Sequence, residues 1–310
     1  MMYSMAFFKK RETLVQNIAY MAIMAAINVI FVLLTAILPP LMFLIVFVLP
    51  LTSAVVTLFC KKRYFPIYAV VTVALCLLAT FGIYIYDTFF YVIPSLITGF
   101  VFGLLIEKKV PAIDIIVSST ALQYVLSFLT FLTLYLILPD INFIDALLSI
   151  FGLANFVYKD VFIHLFLFAL ASIQTTFAYF ILKREVKKLG FEVVEEIKLH
   201  YLLFAFVVLI DVLALVMVFI YPPLVYVFIV MNLPFMVYEI ISLIYERKKA
   251  IYIVMVIALV ISISIFVGFY TLIPHPLGII LVAPMQILFS VIYFVNYLFN
   301  NKTKNDKIDN

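Results

Sequence analysis

Long apolar runs alternate with short polar clusters along the whole 310-residue chain. A helix that crosses a bilayer needs about 20 apolar residues, because each residue adds only about 1.5 Å to its length. The runs therefore predict an all-α, polytopic transmembrane helix bundle of about ten spans. The predicted spans are residues 14–37, 41–60, 65–83, 88–106, 112–138, 161–182, 201–220, 224–245, 250–270 and 278–299.

The positions of the basic residues predict how the spans are oriented across the membrane. All but one of the 20 Lys and Arg side chains fall in clusters on a single face of the ten-span topology, and Lys159 is the exception. Short loops rich in Lys and Arg stay in the cytoplasm, so both termini are predicted to be cytoplasmic. Adding or removing one span would scatter the clusters over both faces, which favours the even count.

Composition excludes several classes of protein. The chain is 68% hydrophobic and 12% charged, with a mean hydropathy of +1.29, whereas soluble proteins are about half apolar and about a quarter charged. Lipid is therefore the expected surrounding of most side chains. The net charge of +4 resides in the topology clusters, and no nucleic-acid partner is predicted.

The sequence lacks the common motifs of nucleotide-binding proteins and hydrolytic enzymes. It contains no P-loop, no H-E-x-x-H and no G-x-S-x-G pattern. Cys60 and Cys76 show neither a disulfide nor a zinc-binding arrangement. We therefore expect no enzyme activity, no metal site and no cofactor. The first apolar segment is longer than a signal peptide and is interpreted as the first span of the mature protein.

A cytoplasmic connection of mixed charge divides the spans into six and four. The predicted parts are a six-span unit (1–185), a linker (186–198), a four-span unit (199–300) and a polar cytoplasmic tail (301–310). Asn28 stands eleven residues before Pro39, and Asp211 stands eleven residues before Pro222. This shared spacing favours a parallel repeat of spans 1–4 and 7–10, as in some transporters. Chance similarity between apolar helices is the alternative.

Asp211 is the clearest candidate for a functional residue. It lies near the bilayer midplane, where a charged side chain costs about 2.5–3.5 kcal/mol on insertion scales. One interpretation is a proton or cation site with Asn28 and Asn232 as partners, and the other is a protonated, hydrogen-bonded structural aspartate. Glu239 is interpreted as structural, because its position in the sequence places it nearer the cytoplasmic surface.

Polar residues also mark spans five and six. Gln123 and Gln174 lie deep in these spans, and His164 lies near the outer end of span six. They predict either a pocket for a small-molecule substrate or hydrogen bonds that only hold the two helices together.

Small residues recur at helical spacing on two spans, where they allow neighbouring helices to approach closely. On span four they predict packing inside the bundle, and on span one they predict a docking face for another protein. The span-four set is Ser95, Gly99 and Gly103, and the span-one set is Ala19, Ala22 and Ala26.

Several of these features together resemble a known family. The chain is similar to the YybS-like family at four places. They are residues 22–26, the turn at Pro39 and Pro40, Pro50, and residues 94–103, which precede two lysines. Members of this family are predicted bacterial membrane proteins of unknown function. They resemble in turn the S components of energy-coupling factor (ECF) transporters, and this likeness covers about residues 14–185. The resemblance implies a location in the bacterial cytoplasmic membrane.

The resemblance also implies a function. S components bind a small nutrient from outside with six helices, and a small-residue face on the first helix docks a membrane coupling subunit driven by two ATPases. Ala22 and Ala26 would form that face here. The chain departs from S components in having four further spans and only seven glycines.

Two other functions remain open on the sequence. The first is an ion- or proton-coupled secondary carrier in which Asp211 is the coupling site. The second is a non-transporting membrane scaffold or assembly factor, in which the polar residues only join helices.

Overall fold

The computed structural model describes residues 10–38, 42–80, 88–137, 143–150, 158–188, 200–245, 249–270 and 281–305. These residues form α-helices, with one 3₁₀ turn at Lys62–Tyr64 and one π turn at Thr88–Val92. The helices are α1 (Leu14–Ile37), α2 (Met42–Phe59), α3 (Phe65–Ala79), α4 (Ile93–Glu107), α5 (Ala112–Ile137), α6 (Phe143–Ile150), α7 (Lys159–Lys188), α8 (His200–Ile220), α9 (Pro222–Met231), α10 (Leu233–Tyr245), α11 (Lys249–Tyr270) and α12 (Val282–Asn305).

The all-α, polytopic prediction is confirmed. Within the described part of the chain, seven helical segments are long and apolar enough to cross a membrane. Three shorter apolar helices lie in the remaining predicted spans, at Val48–Phe59, Ile93–Glu107 and Ile253–Ser264. Each of the ten predicted spans thus contains an apolar helix. The assignment of the basic clusters to the cytoplasm stays a prediction.

The chain divides into two compact units. Unit 1 comprises Met1–Ile141 and Gln174–Glu196, and unit 2 comprises Asn142–Ile173 and Ile197–Asn310. Helix α7 therefore contributes its first part to unit 2 and the remainder to unit 1. The sequence prediction places residues 142–173 in the six-span part instead. Most of the predicted linker, residues 189–199, and the end of the tail, residues 306–310, lie outside the described residues.

In unit 1, the small-residue face of α4 packs directly on α2. A Cβ atom on Gly99 would lie 2.6 Å from the Cβ of Ser53, and one on Gly103 would lie 2.6 Å from the Cβ of Thr57. Real Cβ atoms essentially never approach other atoms this closely. The two helices meet at this distance only because both positions lack a side chain.

The start of α1 is fixed to the end of α2. Thr13 caps α1 in a reciprocal arrangement with Gln16. The backbone N–H of Arg11 donates to the carbonyl of Phe59 at 2.8 Å, and the N–H of Lys61 donates to Oδ1 of Asn17 at 2.8 Å. The first turn of α1 and the last turn of α2 are therefore held together by backbone hydrogen bonds as well as by packing.

Three helix ends of unit 1 meet at one ion-pair cluster. Glu107 is the last residue of α4. Its carboxylate oxygens form ion pairs with Nζ of Lys62 at 2.5 Å and with Nζ of Lys10 at 3.3 Å. The predicted topology would place all three residues on the cytoplasmic face. The pairs are partly exposed, so we assign them a role in alignment rather than a large stabilising energy.

In unit 2, α8 packs against α9 and α12, and α12 also contacts α10 and α11. Small and branched residues fill the centre of this packing, among them Ala214, Ile229 and Ala283. Helix α6 belongs to the same unit, where its buried Leu148 clusters with Tyr226.

Candidate functional site

The eighth predicted span is a helix that is interrupted at a single residue. It begins as α9, which ends at Met231, and continues as α10, which begins at Leu233. Pro234 has no N–H and therefore cannot donate to the carbonyl of Val230, which is the bond that a continuous helix would make. Regular backbone bonding resumes where the N–H of Met236 donates to Asn232 at 3.0 Å. The break leaves Asn232 between two half-helices inside one span.

Asn232 connects this break to Asp211. Its Nδ2 donates to Oδ1 of Asp211 at 2.9 Å and to the carbonyl of Val207, one turn earlier on α8, at 3.1 Å. Asn232 and Asp211 are both fully buried. The structure therefore brings together the pair that the sequence proposes, and the helix break is what turns the amide towards α8.

Asn28, the other proposed partner of Asp211, has different partners in unit 1. Its Nδ2 donates to the hydroxyl of Tyr68 at 2.9 Å, and its Oδ1 accepts from Thr52 at 2.7 Å. In the predicted repeat, Asn28 and Asp211 occupy equivalent places. Their donors are not equivalent, because Thr52 follows Pro50 by two residues whereas Asn232 precedes Pro234 by two.

Glu239, two turns after Asn232, is fully buried within the protein. Its Oε1 accepts from the hydroxyl of Ser290 on α12 at 2.6 Å. The carboxyl groups of Glu239 and Asp211 also interact electrostatically. Both buried carboxyl groups of unit 2 thus belong to one polar cluster.

Helix α12 contributes a residue that sequence reasoning missed. Nε2 of Gln286 donates to the carbonyl of Ile229 at 2.8 Å, close to the end of α9. Gln286 stands one turn before Ser290, so both project from the same side of α12. Two polar residues four apart in a mainly apolar span were the available signal. The unit 2 cluster therefore comprises Asp211, Asn232, Glu239, Gln286 and Ser290.

The unit 2 cluster has more acceptors than donors. Among the residues that the structure describes, four of its buried oxygens have no hydrogen-bond partner. By contrast, Nδ2 of Asn232, Nε2 of Gln286 and Oγ of Ser290 all donate. The oxygens without a partner are Oδ2 of Asp211, Oδ1 of Asn232, Oε2 of Glu239 and Oε1 of Gln286.

The predicted polar face of spans five and six forms a second network, in unit 1. Thr98 donates to Oε1 of Gln123, Nε2 of Gln123 donates to Gln174 at 3.1 Å, and Nε2 of Gln174 donates to Ser95 at 3.0 Å. Every amide nitrogen and oxygen of the two glutamines thus has a partner. His164 is exposed and lies in the part of α7 that belongs to unit 2.

This complete pairing makes the unit 1 network sensitive to substitution. Gln174→Leu removes two bonds and leaves polar groups of Gln123 and Ser95 unpaired, at about 1–3 kcal/mol for each buried group. We expect a loss of about 2 kcal/mol in the free energy of unfolding, measured by denaturation in detergent. Ile173→Leu, a change at an exposed neighbouring position, is the control. An unchanged stability in Gln174→Leu would contradict the assignment.

The alanine set of α1 points out of unit 1. Ala19, Ala22 and Ala26 are exposed, whereas Met24 and Ala25 on the opposite side of the helix are buried. The outward face therefore presents the three alanines together with larger exposed side chains, among them Ile18 and Ile23.

Comparison with known proteins supports the membrane assignment. Residues 26–154 match the model of a family described as a predicted membrane protein (DUF2232). This range includes Asn28, Gly99 and Gln123 but none of the unit 2 cluster. No curated protein and no solved structure matches the chain. The chain is thus an integral membrane protein that is similar to the DUF2232 family over residues 26–154.

Proposed function

We propose that this protein is the substrate-binding membrane subunit of a transporter, similar to an ECF S component, and that α1 docks a membrane coupling subunit. The observation that carries the proposal is the exposed alanine face of Ala19, Ala22 and Ala26. In lipid, apolar burial does not drive helices together, so association depends on close packing at small residues.

The opposite side of α1 supports this assignment. It is held within unit 1 through the buried side chain of Asn28, which bonds to Tyr68 and Thr52. The alanine face is therefore presented by a helix with a fixed rotation about its axis. Because the sequence has no P-loop, ATP-driven transport by this protein needs a partner that supplies the ATPases.

Co-purification tests the docking face. We expect wild-type protein from native membranes to carry a coupling subunit and its ATPases, and Ala22→Leu to lose them, because the longer side chain separates the two helices. Ala121→Leu makes the same change at an exposed alanine of α5 and should retain the partners. Failure to recover ATPases with the wild type, or equal recovery with Ala22→Leu, would overturn the proposal.

A second function, an ion- or proton-coupled secondary carrier, is favoured by a separate observation. Unit 2 buries two carboxyl groups, Asp211 and Glu239, beside an interrupted helix. Carboxyl groups inside a membrane mark ion and proton pathways in transporters, and broken helices hold the coupling ions there. Cation flux through the reconstituted protein measures this function directly.

A further inference from the structure

We propose that the unit 2 cluster binds a small monovalent metal cation, held by oxygen atoms at the break between α9 and α10. This inference deepens the carrier function by naming the ligand of the same site. Only transport of the cation rests on the proposed carrier function. Binding of the cation can be measured whether or not the protein is a carrier.

The two carboxyl groups of the cluster need either protons or a bound cation to be neutral. Asp211 and Glu239 are fully buried, and no basic side chain forms an ion pair with either one in the described part of the chain. An ionised carboxyl group that is buried without a partner is strongly unfavourable. One bound monovalent cation, together with one proton shared by the two carboxyl groups, makes the cluster neutral.

The unpaired atoms have the chemistry of cation ligands. All four are oxygens, two from carboxyl groups and two from amides. A substrate that donated hydrogen bonds would also satisfy oxygens, but a polar molecule normally brings acceptors that need donors as well. Each donor atom of the cluster already has an acceptor. Hard metal cations, in contrast, take carboxylate and carbonyl oxygens alone.

The helix interruption adds a backbone oxygen at the same place. The interruption is confined to Asn232, which lies between α9 and α10 and keeps helical backbone angles. The carbonyl of Val230 lacks the N–H that Pro234 cannot supply. Broken helices in secondary transporters present such carbonyl ends to sodium ions or protons. The break thus contributes a carbonyl oxygen to the proposed site independently of the acidic side chains.

The buried amide groups of unit 1 do not share this surplus of oxygen atoms. The amide groups of Asn28, Gln123 and Gln174 are also buried, yet each of their nitrogen and oxygen atoms has a partner. Asn28→Leu is therefore a matched control for the loss of a buried polar residue without loss of the cation site.

The test measures binding to the purified full-length protein in detergent. Choline chloride at constant ionic strength is replaced by NaCl, LiCl or KCl, and both the melting temperature and the binding of radioactive ²²Na⁺ are recorded. We expect at least one alkali cation to raise the melting temperature in a saturable manner. Asp211→Asn should abolish the shift, whereas Asn28→Leu should lower the melting temperature in choline and keep the shift.

Defined outcomes would overturn the inference. They are equal melting temperatures in choline and in all three alkali salts, a response to Ca²⁺ alone, or a full alkali response in Asp211→Asn. If Asp211→Asn does not fold, Gln286→Leu replaces it in the test. We expect this variant to bind the alkali cation at least tenfold more weakly than the wild type. Binding without flux in vesicles would leave the site intact and overturn only the carrier function.

Discussion

Pro234→Ala is expected to stabilise the protein and to weaken cation binding at the same time. The substitution supplies the N–H that the carbonyl of Val230 lacks and allows α9 and α10 to join into one helix. A proline inside a helix costs about 3 kcal/mol, so we expect a gain of about 1–3 kcal/mol in the free energy of unfolding. The joined helix would also turn Asn232 away from Asp211.

Pro50→Ala is the matched control for this prediction. Pro50 lies inside α2, which continues through it without a break, and no acidic cluster surrounds it in the described structure. This variant changes stability and leaves the alkali response as in the wild type. Chemical denaturation and the melting shift in NaCl measure the two effects. A Pro234→Ala variant that binds cations as tightly as the wild type would show that the break has no part in the site.

Asp211→Asn is expected to eliminate cation flux. The amide keeps the acceptor that bonds to Asn232, so the geometry of the pair is retained. It removes the negative charge, however, and places an N–H₂ group where the cation needs an oxygen. In vesicles with an imposed sodium gradient, we expect ²²Na⁺ uptake to fall to the level of protein-free vesicles.

Asp114→Asn is the control for flux, because it makes the same chemical change at an exposed aspartate in the first turn of α5. Uptake by this variant should equal that of the wild type. A trapped pH dye in the same vesicles reports proton movement. Loss of proton flux alone in Asp211→Asn would retain the carrier function and reject a metal ion. Wild-type flux of both ions in this variant would reject Asp211 as the coupling site.

The helical spans were predictable because bilayer thickness sets their length. Runs of about 20 apolar residues must appear wherever a helix crosses lipid, and each predicted run contains a helix in the structure. The small-residue face of α4 was also predictable, because Gly99 and Gly103 have the spacing of a helix contact. Neither signal depends on knowing which helices are neighbours.

The unit 2 cluster was only partly predictable. Asp211 stands out, since a carboxyl group in an apolar span is costly. Gln286 and Ser290 do not, because an uncharged polar residue inserts at little cost and nearly uniform apolar helices give no indication of their inward side.

The bonds that fix the start of α1 to the end of α2 bear on how the protein enters the membrane. Arg11 and Asn17 contact Phe59 and Lys61, so every participant is synthesised within the first fifth of the chain. Proteins fold from the amino terminus during synthesis, and flanking basic residues orient the early spans. We therefore expect the first two helices to insert together as a closed hairpin.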